Sequence, residues 1–160
     1  MVESSALKDL GSYKTKLISA FVNSEEILEC LFNKQPYTED DVDNLTYNQI
    51  FPYLYTDETQ TETKTYICMD VKPVSKTRTM KNSQLVIWVY CHKDIMKYSK
   101  KGYSGTRVDI LADMVERTLR DSYKFGIGKL EFDEAPYFSP HNKYYGRQII
   151  YNVPDFKVKG

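Results

Sequence analysis

The longest apolar run of the chain is Leu85-Val86-Ile87-Trp88-Val89-Tyr90-Cys91. A run this short, rich in β-branched and aromatic residues, predicts a strand buried on both faces at the centre of a sheet, with Trp88 in the core. A basic loop, 97–103, and Gly105 follow. The period then changes. Val108, Leu111, Ala112, Val115 and Leu119 recur at helical spacing, one stripe able to cover the sheet. Thr106 and Asp109 are spaced for a capping box at the helix start. Asp113–Arg117 and Glu116–Arg120 are i,i+4 pairs, each worth about 0.2–0.5 kcal/mol.

Before this centre, the spacing predicts a helix over 5–22, with Ser4 or Ser5 as cap and Leu7, Leu10, Leu17, Ile18 and Phe21 as its apolar stripe. Gly11 inside it costs about 1 kcal/mol against Ala and is a place for a bend. A second helix, capped by Ser24, carries Ile27, Leu28, Leu31 and Phe32 and ends at Pro36. From 35 to 62 the pattern is irregular. Thr38 can cap a short acidic helix, and Ile50-Phe51-Pro52-Tyr53-Leu54-Tyr55 is greasy but interrupted by proline. Such a segment is expected to fold back on the core or to dock on a neighbouring subunit.

Residues 65–74 alternate as a strand, with Ile67, Met69 and Val71 on one face and Tyr66, Cys68 and Asp70 on the other. Pro73 restricts it to an edge or a strand end. The loop 75–83, with Lys76, Arg78 and Lys81, closes a hairpin onto the central strand. After the helix, Gly126-Ile127-Gly128 reads as a turn. Leu130 and Phe132 alternate with charged residues as a half-exposed strand, a loop holds Pro136 and Pro140, and 144–153 is the last strand, stopped by Pro154. The fold class expected is α+β, a single domain over 1–160: a mostly antiparallel four-stranded sheet with helices on one face, and 35–62 as an extended arm or insertion.

Composition narrows the function. Lys+Arg and Asp+Glu are 22 each, for a net charge of +0, which argues against a nucleic-acid binder driven by bulk charge. The start is polar and reads as no signal peptide. No apolar run approaches the ~20 residues of a membrane helix. Cys30, Cys68 and Cys91 lack metal-ligand spacing and read as small buried hydrophobes of a reducing compartment. The 14 tyrosines offer apolar area with a polar tip, a residue type enriched at interfaces.

Signals for catalysis are few. His92 and Asp94 could orient a base, yet no third group is placed by spacing. Asp70, Lys129 and Glu131 on neighbouring predicted strands suggest a metal-dependent nuclease, the alternative function, although the lysine precedes the second acid. No catalytic residue, cofactor or metal set is predicted. The charge pattern instead suggests self-association. Basic Lys100 and Lys101 could meet the acidic stretch of another copy at Asp40 and Asp41, since opposite patches suit head-to-tail contacts. Ile110 and Met114 lie off the sheet-facing stripe beside Arg117 and read as apolar surface left for a neighbour, as do Phe51, Tyr53 and Tyr55 of the arm.

The series Ile50-Phe51-Pro52-Tyr53, Glu62-Thr63-Lys64-Thr65-Tyr66-Ile67, Gly105-Thr106-Arg107-Val108-Asp109, Phe125-Gly126-Ile127-Gly128-Lys129-Leu130 and Tyr144-Tyr145-Gly146-Arg147 resembles neck proteins of tailed bacteriophages. The order of elements is similar to that of the tail-terminator and tail-completion (head–tail joining) group. The resemblance implies an α-β-β-α-β-β core and a virion protein assembled in the host cytoplasm. It implies a homo-oligomeric ring, expected to be hexameric, that caps the tail tube and meets neck and connector proteins. DNA would pass its lumen. The resemblance carries over no catalytic residues; the lack of a placed nucleophile, base or metal set and of a long apolar run predicts no enzyme activity and no membrane partner. Head-closure and other connector proteins are the alternatives within the class.

Overall fold

A computed structural model describes residues 6–33, 36–59, 61–73, 83–120 and 129–153. Helix α1 (Ala6–Val22) runs unbroken through Gly11. Helix α2 (Glu25–Phe32) starts at Ser24, whose side chain accepts from the Ile27 amide, and stops at Asn33 in the left-handed conformation. Helix α3 (Glu39–Asp43) carries the capping box of Thr38 and Asp41. Strand β1 (Ile50–Phe51) is followed by β2 (Thr65–Pro73), β3 (Ser83–His92), a 3₁₀ turn (Lys93–Ile95), helix α4 (Arg107–Arg120), and strands β4 (Glu131–Glu134), β5 (Tyr137–His141) and β6 (Tyr144–Val153).

The sheet has six strands rather than four, in the order β1-β2-β3-β6-β4, with β5 also paired to β6. All pairings are antiparallel except β1 with β2. Both additional strands escape the sequence pattern because proline interrupts them: Pro52 ends β1 after two residues, and Pro140 lies within β5, at the edge where no ladder donor is required. The central position of β3 follows its composition: all but Gln84 and Trp88 are buried.

One sheet face carries Ile67, Met69, Val71, Leu85, Ile87, Val89, Ile149 and Tyr151, and α1, α2 and α4 pack on it in one core. The other face carries Tyr66, Cys68, Tyr90 and Tyr144, closed over by Phe51 and Tyr55 of the arm and by Phe138 of β5. The arm folds back on its own sheet. Trp88 sits on this second face and is half-buried, its Nε1 donating to Gln148 at 3.3 Å. It is not the core residue its run suggested, because the arm covers the Tyr66 end of this face and leaves the indole at the margin. Phe132 departs similarly: it is 54% exposed, since β4 lies at the sheet edge.

The N-terminus of α4 is the main junction between layers. Arg107 is 2% exposed; its guanidinium donates to the carbonyls of Ile95 (2.6 Å) and Cys30 (2.9 Å) and to Asn33 Oδ1 (2.7 Å), and it lies over the Tyr98 ring. The cation therefore sits at the C-terminal end of α2, where the orphan carbonyls attract it. The three cysteines are free and buried. Burial pushes the thiols of Cys30 and Cys68 up to about 11 and that of Cys91 to about 12. The segments 74–82, with Lys76, Arg78 and Lys81, and 121–128, with Gly126-Ile127-Gly128, lie outside the described residues, as does Pro154.

Candidate assembly surfaces

The arm is fastened at three points. At its start, Gln49 Nε2 donates to the carbonyls of Leu31 (2.7 Å) and Thr65 (3.0 Å). In its middle, Lys14 of α1 donates to the Pro52 carbonyl at 2.6 Å and pairs with Asp70 at 3.1 Å. At its end, the buried Asp57 carboxylate accepts from the amides of Thr59, Thr61 and Glu62 and from the hydroxyls of Thr59 and Tyr144. The Thr59 hydroxyl first, then the Glu62 amide, hold this carboxyl well below the ordinary carboxylate range, against the opposing effect of burial.

These anchors leave one aromatic group facing outward at the β1 edge. Tyr47 is 65% exposed and Tyr53 48%, their rings 6.3 Å apart, with Leu54 exposed nearby in sequence. Tyr47 has φ 67, a backbone state rare for a bulky residue, held by its amide donating to the Ile50 carbonyl at 2.8 Å.

The opposite edge of the sheet has its own exposed aromatics, Phe132 and Tyr137. Tyr137 lies beside Tyr145, ring centroids 6.2 Å apart. Between this hairpin and the start of α4 is a pocket of about 420 Å³, lined by Met96, Val108, Tyr137, Tyr145 and Arg147, with Lys93 among its walls. Arg147 faces Asp109 at 3.6 Å and donates to the Ala135 carbonyl. Burial pushes the Asp109 carboxyl up, but the Thr106 amide and hydroxyl and Arg147 more than offset it, leaving it below its usual value. Four strand steps separate β1 from β5, about 19 Å at the usual inter-strand spacing.

A family model, YomW, matches residues 24–153. The chain belongs to the YomW family. No curated protein and no solved structure matches it. The family name points to a bacteriophage origin. The YomW match runs from the cap of α2 to the last residue of β6, so it includes the arm edge and the hairpin edge and leaves out α1.

Within this YomW fold the sequence-predicted interface residues scatter. Ile110 and Met114 are each 1% exposed and belong to the core; α1 and α2 pack against α4 and widen its buried side beyond the sheet-facing stripe. They are not spare surface. Phe51 is buried as well, stacked on half-buried Tyr55 at 4.2 Å. Lys100 pairs with Glu29 of its own chain at 2.6 Å. Arg117 pairs with Asp113 at 3.0 Å and lies over the Tyr103 ring. Asp41 completes the α3 cap, while Asp40, Lys101 and Tyr53 face solvent. Tyr47 and Tyr137 were missed: Tyr47 stands alone among polar residues and Tyr137 follows a proline, so neither has a periodic signal, and their exposure depends on which edge the chain reaches.

The acid pair suggested for a nuclease does not converge. Asp70 on β2 and Glu131 on β4 are three strand steps apart, about 14 Å, with β3 and β6 between them. Asp70 is paired with Lys14, and Lys129 lies 3.7 Å from Glu131. Among the described residues no group of three His, Cys, Asp or Glu side chains is placed to hold a metal ion. His92 Nδ1 accepts from the Asp94 amide, closing the 3₁₀ turn. Among the described residues no helix is long and apolar enough to cross a membrane.

Proposed function

We propose that this YomW-family chain is a structural virion protein of a tailed bacteriophage, working as a ring of identical subunits at the head–tail junction, where it terminates or caps the tail tube. The observation that carries the reading is the placement of two different exposed aromatic surfaces on opposite edges of one sheet. A protomer with unlike sticky edges associates head to tail, and such a contact closes into a ring when the rotation per subunit allows. The tail-terminator resemblance supplies the place in the particle. The role is non-enzymatic and requires no cofactor, and the lumen of the ring meets DNA passively. Electron cryomicroscopy of purified phage particles tests it. Ring density at the junction that fits this fold is the expected result. Absence of the chain from particles, or its presence there as isolated subunits, overturns the reading.

A further inference from the structure

The two edges differ in lining and charge as well as position. At the β1 edge Tyr47 and Tyr53 are exposed, Tyr47 from a strained backbone that the turn 45–50 maintains, and Tyr47 borders a cleft of about 470 Å³ with Pro52 and Lys14 and Ile18 of α1. The β5 edge is concave, and its pocket of about 420 Å³ falls in the range of about 300–1,000 Å³ typical of clefts that accept ligand groups. Its walls include Met96, Val108 and two tyrosine rings, suited to an aromatic side chain, beside Lys93 and the Arg147–Asp109 pair, whose charges offset each other.

Charge divides the same way. The segment 36–62, which carries the projecting tyrosines, holds seven acidic residues and no lysine or arginine. The segment 93–107, which supplies Lys93, Met96 and Thr106 to the pocket, holds Lys93, Lys97, Lys100, Lys101 and Arg107 against the single acid Asp94. Lys100 is paired with Glu29 and Arg107 is buried, so Lys93, Lys97 and Lys101 face solvent. On the arm, Glu39, Asp40, Asp43 and Glu58 face solvent. Four strand steps prevent one chain from bringing its own tyrosines into its own pocket.

Resting on the self-association reading above, we propose that Tyr47 and Tyr53 of one copy seat in the pocket formed by Met96, Val108, Tyr137 and Tyr145 of the next, steered by the acidic arm against the Lys93–Lys101 loop. The contact is made by side chains and not by strand addition: Glu131, Asp133 and Glu134 are exposed along β4, and charges on an edge strand oppose backbone pairing. Opposite charge brings the copies together, and the buried aromatics hold them.

The test is site-directed cross-linking of the full chain. Two single variants, Tyr53→Cys and Tyr137→Cys, are mixed and treated with a short bismaleimide; the three native cysteines are buried and protected. Tyr47→Cys with Tyr145→Cys provides a second pair, independent of the folding of the first. The expected result is a cross-linked dimer in each mixture, no dimer from any single variant alone, and a ladder from a chain carrying both changes. No product in either mixture overturns the contact, including the case where the pocket takes a segment of another virion protein. A dimer from one variant alone also overturns it, since it means a two-fold contact. Particle imaging separates this from the proposed function. A junction ring in which Tyr53 and Tyr137 of adjacent copies lie apart removes the contact and leaves the function. Cross-linking by a chain absent from particles leaves the contact and removes the function.

Discussion

Tyr144 and Asp57, 87 residues apart in sequence, meet beneath the arm: the single phenol proton is shared between Asp57 Oδ2 at 3.1 Å and the Glu62 carbonyl at 2.6 Å. This closes the loop 57–62 onto the first residue of β6. Asp57 serves five donors at once, so its removal leaves several partly buried groups without an acceptor.

Asp57→Ala is expected to cost about 2 kcal/mol or more, read as a shift of the urea midpoint. The pH dependence has a definite sign. The folded carboxyl lies below its ordinary value of 3.8, so its contribution is present above that pH and is lost as pH falls below it. Between neutral pH and about pH 3, wild type should lose more stability than Asp57→Asn. Parallel losses in the two proteins would show that the carboxylate does not stabilise the arm.

Arg107 joins α2, the loop after β3 and α4 through three acceptors in different directions. Arg107→Met should cost about 2–3 kcal/mol, because it leaves the buried Cys30 carbonyl without its donor and the part-buried Ile95 carbonyl and Asn33 side chain without theirs. Arg107→Lys should recover only part, since a point ammonium lacks the planar fork. Equal midpoints for the lysine variant and wild type would contradict this.

Two glycines should respond in opposite ways. A Cβ on Gly146 would meet the Val89 carbonyl at 1.8 Å and Tyr90 Cα at 2.6 Å, so Gly146→Ala must push β3 and β6 apart and should impair folding. A Cβ on Gly11 meets nothing within 4 Å inside a continuous helix, so Gly11→Ala should stabilise by about 0.5–1 kcal/mol. Thermal melting of the pair checks both.

Ile110→Asp should unfold the monomer, because it places a carboxylate at a site 1% exposed. A loss of assembly in that variant would therefore report on folding. Lys101→Glu changes an exposed charge and should leave the melting temperature within the range of surface substitutions, about 0.5 kcal/mol. It should weaken self-association, measured by light scattering at low salt. An unchanged association would separate the loop from the interface.

Trp88 lies between Phe138 and Gln148 at the margin of the second sheet face. Trp88→Ala should cost less than the 3–5 kcal/mol of a fully buried tryptophan. A larger loss in chemical denaturation would show a cover over this face that the arm and β5 do not provide.

Much of this architecture was written in local pattern. Leu85 to Cys91 made a buried strand, Thr106 to Arg120 made a capped helix with both i,i+4 pairs, and Thr38 capped a short acidic helix, because propensity, capping and periodicity act within a few residues. The sequence alone also determined the separation of acid from base along the chain. What only the tertiary structure decided is which leftover residues face water. Ile110 and Met114 look spare until α1 and α2 cover them, Phe51 looks loose until it stacks on Tyr55, and Asp70 and Glu131 look adjacent until β6 inserts beside β3. Periodicity tells a helix or strand which side is apolar. It does not tell how many neighbours share that side or in which order strands pair, since those depend on contacts between residues far apart in sequence. Tyr47 and Tyr137 become a surface for that reason: the paired strands carry them to opposite edges of the sheet.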